Sequence, residues 1–214
     1  MEMFQETQVR RYLEGDSYFI NMLFRRNAVR VGHIGLTAGG CTTTYFDKDR
    51  LLGEQPADQE ICRRLAIVLP FRHDVKTIIG PERNGISLAY GLSLALCEIT
   101  GQHYVHVEVY KNGAGGFSIP RQTLWRLAPP VLLVDDVVST EKTMRQVTDS
   151  LEPIVAANIH YCCLIDRRRG GSMSVDGLVS LVRAQVPMYL PGEKPPCPDC
   201  QQNVPFETDV GHPR

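Results

Sequence analysis

The sequence predicts an α/β fold in which a parallel, twisted sheet is flanked by helices on both faces. Short segments that are apolar throughout recur along the chain, and segments with helical spacing of apolar residues separate them. Strands of a parallel sheet are buried on both faces and therefore read as continuous apolar runs. The hydrophobic content of 43% over 214 residues is enough for one domain with a proper core.

The predicted elements follow one another in a regular order. Residues 1–50 read as a helical start followed by a Gly/Thr-rich stretch. The apolar spacing predicts helices over residues 58–69, 85–100 and 141–151, the second of which ends at Gly101. The apolar and β-branched runs predict strands over residues 77–80, 104–109, 131–134, 159–165 and 178–182. The sequence therefore divides into residues 1–50, a core over 51–186 and a Pro-rich tail over 187–214 of a single domain.

Charge and hydropathy argue against nucleic-acid and membrane partners. The formal net charge is −1, so no global field attracts nucleic acid or anionic lipid. The basic run 167–169 is too short to act as a polybasic arm. Neither a secretory signal over the first residues nor an apolar run of membrane-spanning length is expected.

Cysteine usage indicates a reducing compartment. The chain has seven cysteines, an odd number. A disulfide framework is not expected, because many of these thiols read as buried and reduced. The cysteines inside apolar segments are Cys62, Cys97, Cys162 and Cys163. The expected location is the cytoplasm.

Two adjacent carboxylates stand at the end of the most apolar strand. Asp135 and Asp136 follow residues 131–134, and a hydroxyl-rich turn over residues 137–143 leads into a helix. Ribose hydroxyls donate hydrogen bonds to carboxylates, and Mg²⁺ prefers oxygen ligands. Backbone N–H groups and hydroxyls at a helix N-terminus suit a phosphate. The alternative is an Asp-rich helix cap without a ligand.

This turn resembles the phosphoribosyl-diphosphate (PRPP) motif of type I phosphoribosyltransferases. The resemblance implies that Asp135 and Asp136 hold the ribose hydroxyls and act in catalysis, and that Asp135 shares Mg²⁺ with the diphosphate. The family usually has Gly where this chain has Glu141, and a glutamate that faced the phosphate would repel it. The residues that the resemblance assigns to the 5′-phosphate are Ser139, Thr140, Lys142 and Thr143.

A second loop is similar to the pyrophosphate loop of the same family. Residues 80–85, Gly-Pro-Glu-Arg-Asn-Gly, follow a predicted strand and open a helix. A Gly-flanked turn at a helix N-terminus suits a diphosphate. The resemblance implies that Arg83, Asn84 and Gly85 contact PRPP.

Two further segments resemble the orotate phosphoribosyltransferases. Residues 32–47 look like the N-terminal signature that forms a small hood over the base, although Thr37 replaces the usual lysine. Residues 166–171 resemble the Asp-Arg-x-x-Gly-Gly signature, in which the arginine, here Arg167, helps to bind the pyrimidine; the alternative is a surface arginine. A guanidinium pairs with planar oxygen groups in a bidentate way. The base-binding candidates of the hood are Thr42, Tyr45 and Phe46.

Residues 107–116 resemble the mobile catalytic loop of the orotate enzymes. The resemblance makes Glu108 and Lys111 the catalytic candidates of this loop. The family has two lysines and a histidine here that neutralise the leaving diphosphate, and a lysine in this chain is offset by one position. Losing cations would weaken electrostatic stabilisation of the transition state. The residues that replace them are Val107, Tyr110 and Asn112.

The tail contains a Cys-x-x-Cys pair. Cys197 and Cys200 have the spacing of zinc ligands, but one pair is half of a site. His212 could be a third ligand, and a second copy of the chain could supply the rest. The alternative is a free thiol pair in a turn.

These patterns together predict a Mg²⁺-dependent phosphoribosyltransferase of the orotate type. It would transfer the ribose 5-phosphate of PRPP to a nucleobase and release diphosphate. The family implies a homodimer. Two alternatives stay open: a salvage enzyme for another base, and a non-catalytic protein that binds PRPP or a nucleotide.

Overall fold

The computed structural model describes residues 2–36, 39–169, 175, 177–192 and 196–207, with side chains from residue 6 onwards. Two compact units make up the chain. The terminal unit contains residues 1–53 and 183–214, and the central unit contains residues 54–182. Among the described residues, none of the helices combines the length and the apolar character that crossing a membrane requires.

Helices and strands alternate along most of the chain. The first part of the terminal unit contains α1 (Glu2–Arg10), β1 (Leu13–Gly15), α2 (Ser17–Arg25), β2 (Val29–Gly35), β3 (Cys41–Phe46) and α3 (Lys48–Leu51). The central unit contains α4 (Ala57–Val68), β4 (Thr77–Pro81), α5 (Asn84–Thr100), β5 (Val105–Lys111), β6 (Phe117–Ser118), a 3₁₀ helix (Arg121–Arg126), β7 (Val131–Val138), α6 (Lys142–Asp149), α7 (Pro153–Ala156) and β8 (Ile159–Asp166). The chain then runs through β9 (Val179–Ala184), β10 (Met188–Tyr189) and α8 (Pro198–Gln201).

The sheet of the central unit confirms the predicted α/β class. Its strand order is β9-β8-β7-β4-β5-β6. Strand β4 is parallel to both β5 and β7, and β7 is parallel to β8, whereas β6 is antiparallel to β5. The carboxyl ends of β4, β5, β7 and β8 therefore lie along one edge of the sheet, where open α/β sheets bind their ligands.

Both faces of this sheet are covered because its strands are apolar on both sides. Ile79 and Leu133 belong to a buried cluster with Met144 and Val147 of α6. Ile78 and its β7 neighbour Leu132 are also fully buried, and strand alternation turns them to the opposite face, where α5 packs on β4, β5 and β7. Helix α5 ends at Gly101, whose φ of 71° suits glycine, as the sequence predicted.

One strand is longer than predicted. The sequence indicated a strand over residues 131–134 with both acids in the turn after it, but β7 continues to Val138. Its pairing with β8 persists through Asp135 opposite Cys163 and Val137 opposite Ile165. The two acids therefore lie within the last half of the strand. Strand alternation turns them to opposite faces, so that Asp136 is buried and Asp135 is partly exposed.

The terminal unit has a small antiparallel sheet of its own. Strands β2 and β3 pair as a hairpin, and β10 adds to the other edge of β3. The predicted hood segment, residues 32–47, covers the end of β2 and all of β3. Helix α2 packs with Phe19 and Leu23 fully buried, and Asp16 caps it by accepting a hydrogen bond of 2.7 Å from the Phe19 N–H.

Candidate functional site

The paired acids of β7 are held in different ways by the surrounding backbone. Asp136 accepts a hydrogen bond of 2.7 Å from the Val137 N–H at Oδ1 and one of 2.8 Å from the Asn84 side chain at Oδ2. Asp135 accepts one of 2.9 Å from the Asp136 N–H. These donors offset the repulsion between adjacent carboxylates. They also fix Asp136 in place, while Asp135 lines an open pocket.

The pocket lies where β7 leads into α6. Ser139 and Thr140 are exposed in the turn, and Lys142 is exposed at the first position of the helix. Hydroxyls, a lysine and free N–H groups at a helix start all donate to an anion. The residues that line the pocket are Asp135, Val137, Val138, Ser139, Thr140, Glu141, Lys142, Thr143 and Met144.

Glu141 occupies the left-handed backbone region that its position in the turn requires. Its φ is 58° and its ψ is 3°, a conformation that glycine adopts more readily. The carboxylate is buried and pairs with Arg168 at 2.9 Å and with Arg145 at 3.1 Å. It therefore does not face the pocket as an uncompensated charge, the arrangement that the sequence analysis identified as repulsive.

Arg168 connects this turn to the end of β8. Its guanidinium also pairs with Asp166 at 3.0 Å, and its side chain is 8% exposed. Burial lowers the pKa of Arg168, but the hydrogen bonds that its guanidinium donates to Asp166 and Glu141 outweigh this effect, so the pKa is raised and the group stays charged. The network of Glu141, Asp166, Arg145 and Arg168 has two charges of each sign. The pairing of Glu141 with Arg168 had no sequence signal, because the two residues are 27 positions apart.

The Gly-flanked turn after β4 lies beside the acid pair. A Cβ on Gly80 would meet the Gly85 carbonyl oxygen at 2.0 Å, so this turn requires glycine at its start. The Glu82 N–H donates a hydrogen bond of 2.8 Å to the Val109 carbonyl of the next strand, and the peptide bond between Glu82 and Arg83 is cis. Arg83 is exposed, and Asn84 reaches Asp136. The structure therefore brings the predicted pyrophosphate loop and the predicted ribose acids together.

The predicted catalytic loop is a hairpin turn between β5 and β6. The Asn112 side-chain oxygen accepts hydrogen bonds of 3.0 Å from the N–H groups of Ala114 and Gly116, and the Gln146 amide donates to the Gly115 carbonyl. Asn112 therefore shapes the turn. Because Gln146 belongs to α6, this bond places the turn next to the helix that borders the pocket.

Two charged side chains of β5 were predicted to act in catalysis. Lys111 is exposed at the end of the strand, and Glu108 accepts a hydrogen bond from the Tyr110 hydroxyl. This hydrogen bond raises the pKa of Tyr110. Val107, which stands where the family has a lysine, is buried and packs in the core.

Arg167 lies at the end of β8, next to the end of β7. Its N–H donates a hydrogen bond of 2.7 Å to the Val138 carbonyl, and the residue is half-buried. Of the matching signature, Gly170 and Gly171 lie outside the described residues. Arg167 is thus placed at the same sheet edge as Asp135, while the neighbouring Arg168 serves the ion-pair network.

The three hood candidates lie on β3 of the terminal unit. Thr42 is buried, and its hydroxyl donates hydrogen bonds of 2.8 Å to the Pro187 carbonyl and 3.1 Å to the Thr44 carbonyl. Phe46 is also buried, and Tyr45 is partly exposed. Thr42 and Phe46 therefore contribute to packing in this unit, and contact with a base stays a prediction for all three. Thr37 lies outside the described residues.

Four metal-ligating side chains converge in the terminal unit. His33, Cys41, Cys197 and Cys200 each offer one ligand atom, and these atoms all lie within 4.8 Å of one another. The sequence indicated Cys197 and Cys200 but missed the other two, which lie on β2 and β3; His212, its third candidate, is outside the described residues. Burial is the largest effect on Cys41 and, with its two cysteine neighbours, raises its pKa to about 12.

Comparison with known proteins identifies the family of this chain. Residues 52–190 match the family model of the phosphoribosyl transferase domain. Orotate phosphoribosyltransferase 2 of Mesorhizobium japonicum is 30% identical over 179 residues, which are 81% of this chain and 88% of that protein. Orotate phosphoribosyltransferase of Thermotoga maritima is 27% identical over 186 residues, 87% of this chain and 94% of that protein.

Solved structures show the same fold. Orotate phosphoribosyltransferase of Francisella tularensis aligns with a TM-score of 0.57 and 20% identity over 78% of this chain and 85% of that chain. Adenine phosphoribosyltransferase of Saccharomyces cerevisiae aligns with a TM-score of 0.51 and 19% identity over 70% of this chain and 89% of that chain.

The parallel sheet, with an acid pair and an open pocket at its carboxyl edge, has the architecture of type I phosphoribosyltransferases. This chain belongs to the phosphoribosyltransferase family, and its similarity is to the orotate phosphoribosyltransferases.

Proposed function

We propose that this protein transfers the ribose 5-phosphate of PRPP to a nucleobase, with orotate as the first candidate. The observation that carries the proposal is the pocket where β7 meets α6, because it combines a carboxylate, Asp135, with hydroxyls and N–H groups. A sugar with vicinal hydroxyls and a nearby phosphate needs this combination of acceptors and donors.

The pocket suggests a role for each group. Asp135 and Asp136 accept the ribose 2′- and 3′-hydroxyls, while Ser139, Thr140, Lys142 and Thr143 donate to the 5′-phosphate. Arg83, Asn84 and Gly85 contact the diphosphate, which is supported by the bond between Asn84 and Asp136. The base nitrogen then attacks the anomeric carbon as its bond to the diphosphate oxygen breaks. Orienting the two ligands supplies much of the rate enhancement for such a displacement.

The residues present fit a magnesium ion brought in with the diphosphate. Asp135 offers a carboxylate that lines the pocket, and hard oxygen ligands of this kind suit Mg²⁺. The ion would neutralise charge on the departing diphosphate. Lys111, on the neighbouring hairpin, is the protein cation that would neutralise the same negative charge on the diphosphate. Glu108 is the second catalytic candidate of that strand.

The position of Arg167 favours a substrate base that has oxygen substituents. A half-buried guanidinium next to the end of β7 can pair with a carboxylate or with two carbonyl oxygens in one plane. Orotate offers such groups and adenine does not. Salvage of another base is the alternative within the enzyme class.

A second candidate function is non-catalytic binding of PRPP or a nucleotide. The observation that favours it is the β5–β6 hairpin, where Val107 is buried, Tyr110 bonds to Glu108 and Asn112 shapes the turn. None of these three side chains supplies a cation. Binding would then survive while the electrostatic stabilisation of the leaving group is reduced.

Two measurements, an orotate absorbance assay and isothermal titration with PRPP, distinguish these functions. We expect orotate absorbance to fall only when PRPP and Mg²⁺ are both present, and isothermal titration to show PRPP binding. PRPP binding without turnover of orotate or of any purine or pyrimidine base would favour the non-catalytic protein. Absence of PRPP binding would refute the proposal.

We also propose a cytoplasmic homodimer. Support for self-association comes from large apolar side chains exposed in the central unit, where Tyr90 is 53%, Leu94 52% and Val105 39% exposed. Contiguous exposed apolar surface commonly marks a subunit interface. Light scattering during gel filtration measures the mass directly, and a monomer at micromolar concentration would contradict the dimer.

A further inference from the structure

We infer that the terminal unit contains a structural zinc site formed by His33, Cys41, Cys197 and Cys200. The ligand set is one histidine and three cysteines, which is a common composition of closed, tetrahedral zinc sites. This site is independent of the PRPP pocket, all of whose lining residues belong to the central unit.

The ligand atoms lie about as far apart as the corners of a zinc tetrahedron, with every pair within 4.8 Å. Zn–S bonds of about 2.3 Å and Zn–N bonds of about 2.0–2.1 Å imply ligand–ligand edges of roughly 3.6–3.8 Å. The Cys41 and Cys200 sulfurs are 3.7 Å apart. His33 Nε2 lies 3.8 Å from the Cys197 sulfur and 3.3 Å from the Cys200 sulfur. All four atoms are thus close enough to share one ion.

The histidine is oriented as a metal ligand. His33 Nδ1 lies 2.8 Å from the Val204 carbonyl oxygen, which makes Nδ1 the protonated nitrogen and leaves the lone pair of Nε2 directed at the sulfurs. The Phe206 ring packs on the imidazole with centroids 4.3 Å apart. The residues that hold the ring therefore come from the same tail that supplies two of the thiols.

The two cysteines of the tail are joined by a short turn. Cys197 immediately precedes the short helix α8, which contains Cys200. His33, Cys41 and Cys197 are buried, and Cys200 is exposed, which gives the ion a route of entry.

The consequence is that zinc attaches the tail to the β2–β3 hairpin. Tail residues 196–207 contact this hairpin. One of these contacts is the 2.8 Å hydrogen bond that the Glu207 N–H donates to the His33 carbonyl. The described tail residues 201–207 are exposed and bury little apolar surface. A metal that bridges β2, β3 and the tail supplies the stability that such a segment lacks.

Metal analysis and cobalt substitution test this site. We expect the full-length protein, purified under reducing conditions, to carry about one zinc ion per chain after dialysis against EDTA at low concentration. After zinc removal, Co²⁺ should give the visible d–d bands of tetrahedral geometry and the near-ultraviolet charge-transfer band of thiolate ligands. Both measurements use the unmodified chain, so they do not depend on whether variants fold.

Matched variants assign the ligands. Cys200→Ser and His33→Ala should lower zinc affinity at least about 100-fold, because loss of even an outer partner costs about 10–100-fold. Cys97→Ser is the control, since Cys97 is a half-buried cysteine of α5 outside the cluster, and its zinc content should equal that of the wild type. Three results would overturn the proposal. They are octahedral cobalt bands, equal loss of zinc in all three variants, and a zinc-free protein whose mass is lower by two hydrogens because Cys200 has formed a disulfide.

Discussion

Asp135 and Asp136 have different roles although they are adjacent in the sequence. Asp136 is 5% exposed and both of its oxygens accept hydrogen bonds from Val137 and Asn84, so part of its role is to fix the Gly80–Gly85 turn against β7. Asp135 is accessible and lines the pocket. In the proposed function, Asp135 is the accessible carboxylate that contacts PRPP, and Asp136 also positions the diphosphate loop.

Replacing both acids should abolish PRPP binding. Asp135→Asn with Asp136→Asn keeps the side-chain shape but removes two charged acceptors, each worth about 1.5–3 kcal/mol in a hydrogen bond. We expect PRPP affinity to fall at least about 100-fold by isothermal titration. Asp149→Asn, at the exposed end of α6, is the control and should bind like the wild type. Unchanged PRPP affinity in the double variant would show that the two acids do not bind PRPP.

Glu141 tests whether a buried charge near the pocket repels the ligand. Its carboxylate pairs with Arg168 and Arg145, so we expect Glu141→Gln to lower the free energy of unfolding by ~1–3 kcal/mol. The cost is below that of an isolated buried pair because Arg168 keeps Asp166. Urea unfolding measures this change.

The same variant should change PRPP affinity less than about tenfold, because the charge of Glu141 is already compensated. Glu141→Gly provides the comparison, since it also restores the residue that suits a φ of 58°. A larger gain in affinity in both variants would show that the carboxylate repels the phosphate. A loss of affinity would show that this residue has acquired a role in binding.

The β5–β6 hairpin is the element that distinguishes a catalytic protein from one that only binds PRPP. Its turn is shaped by Asn112 and attached to α6 through Gln146, and Lys111 is the exposed cation at its base. A cation near the departing diphosphate stabilises the transition state more than the bound substrate. The position of the hairpin beside α6 therefore makes Lys111 the residue whose loss should affect turnover.

Lys111→Ala should lower kcat about 10–100-fold and leave KM for PRPP nearly unchanged. Lys76→Ala is the control, because Lys76 is an exposed lysine before the amino end of β4, at the edge of the sheet away from the pocket. Steady-state kinetics with the accepted base measure both parameters. A change in KM alone would assign the lysine to ground-state binding instead of the chemical step.

For the whole molecule, the sequence predicted the elements that depend on local patterns of residues. It missed the contacts between residues that are far apart in the chain. The apolar runs gave the strands of the parallel sheet, and Gly101 gave the end of α5. The extension of β7 through Asp135 arises from its register with β8, which no local pattern encodes. Glu141 and Arg168 are 27 residues apart, and His33 and Cys197 are 164 residues apart, so neither pair could be read from spacing.

Burial of the cysteines in the central unit gives a readout of its global stability. Cys162 and Cys163 lie fully buried in β8, and burial raises the pKa of each thiol well above its ordinary value. Burial, together with the charge of Asp58, raises the pKa of Cys62 to about 12. Because the thiolate is the reactive form, raised pKa values and exclusion of reagent both slow alkylation in the folded state.

We expect alkylation of Cys162 and Cys163 under native conditions to be at least about 1,000-fold slower than in the urea-unfolded chain, since these thiols react only when the sheet opens. Half-buried Cys97 is the internal comparison and should react faster than either. Raising the pH toward 9 should accelerate the alkylation of Cys62 little, because burial raises the pKa of this thiol to about 12. Peptide mass spectrometry after timed labelling measures each site. Equal rates for Cys163 and Cys97 would mean that β8 opens locally, and that the parallel sheet is not the most stable part of the central unit.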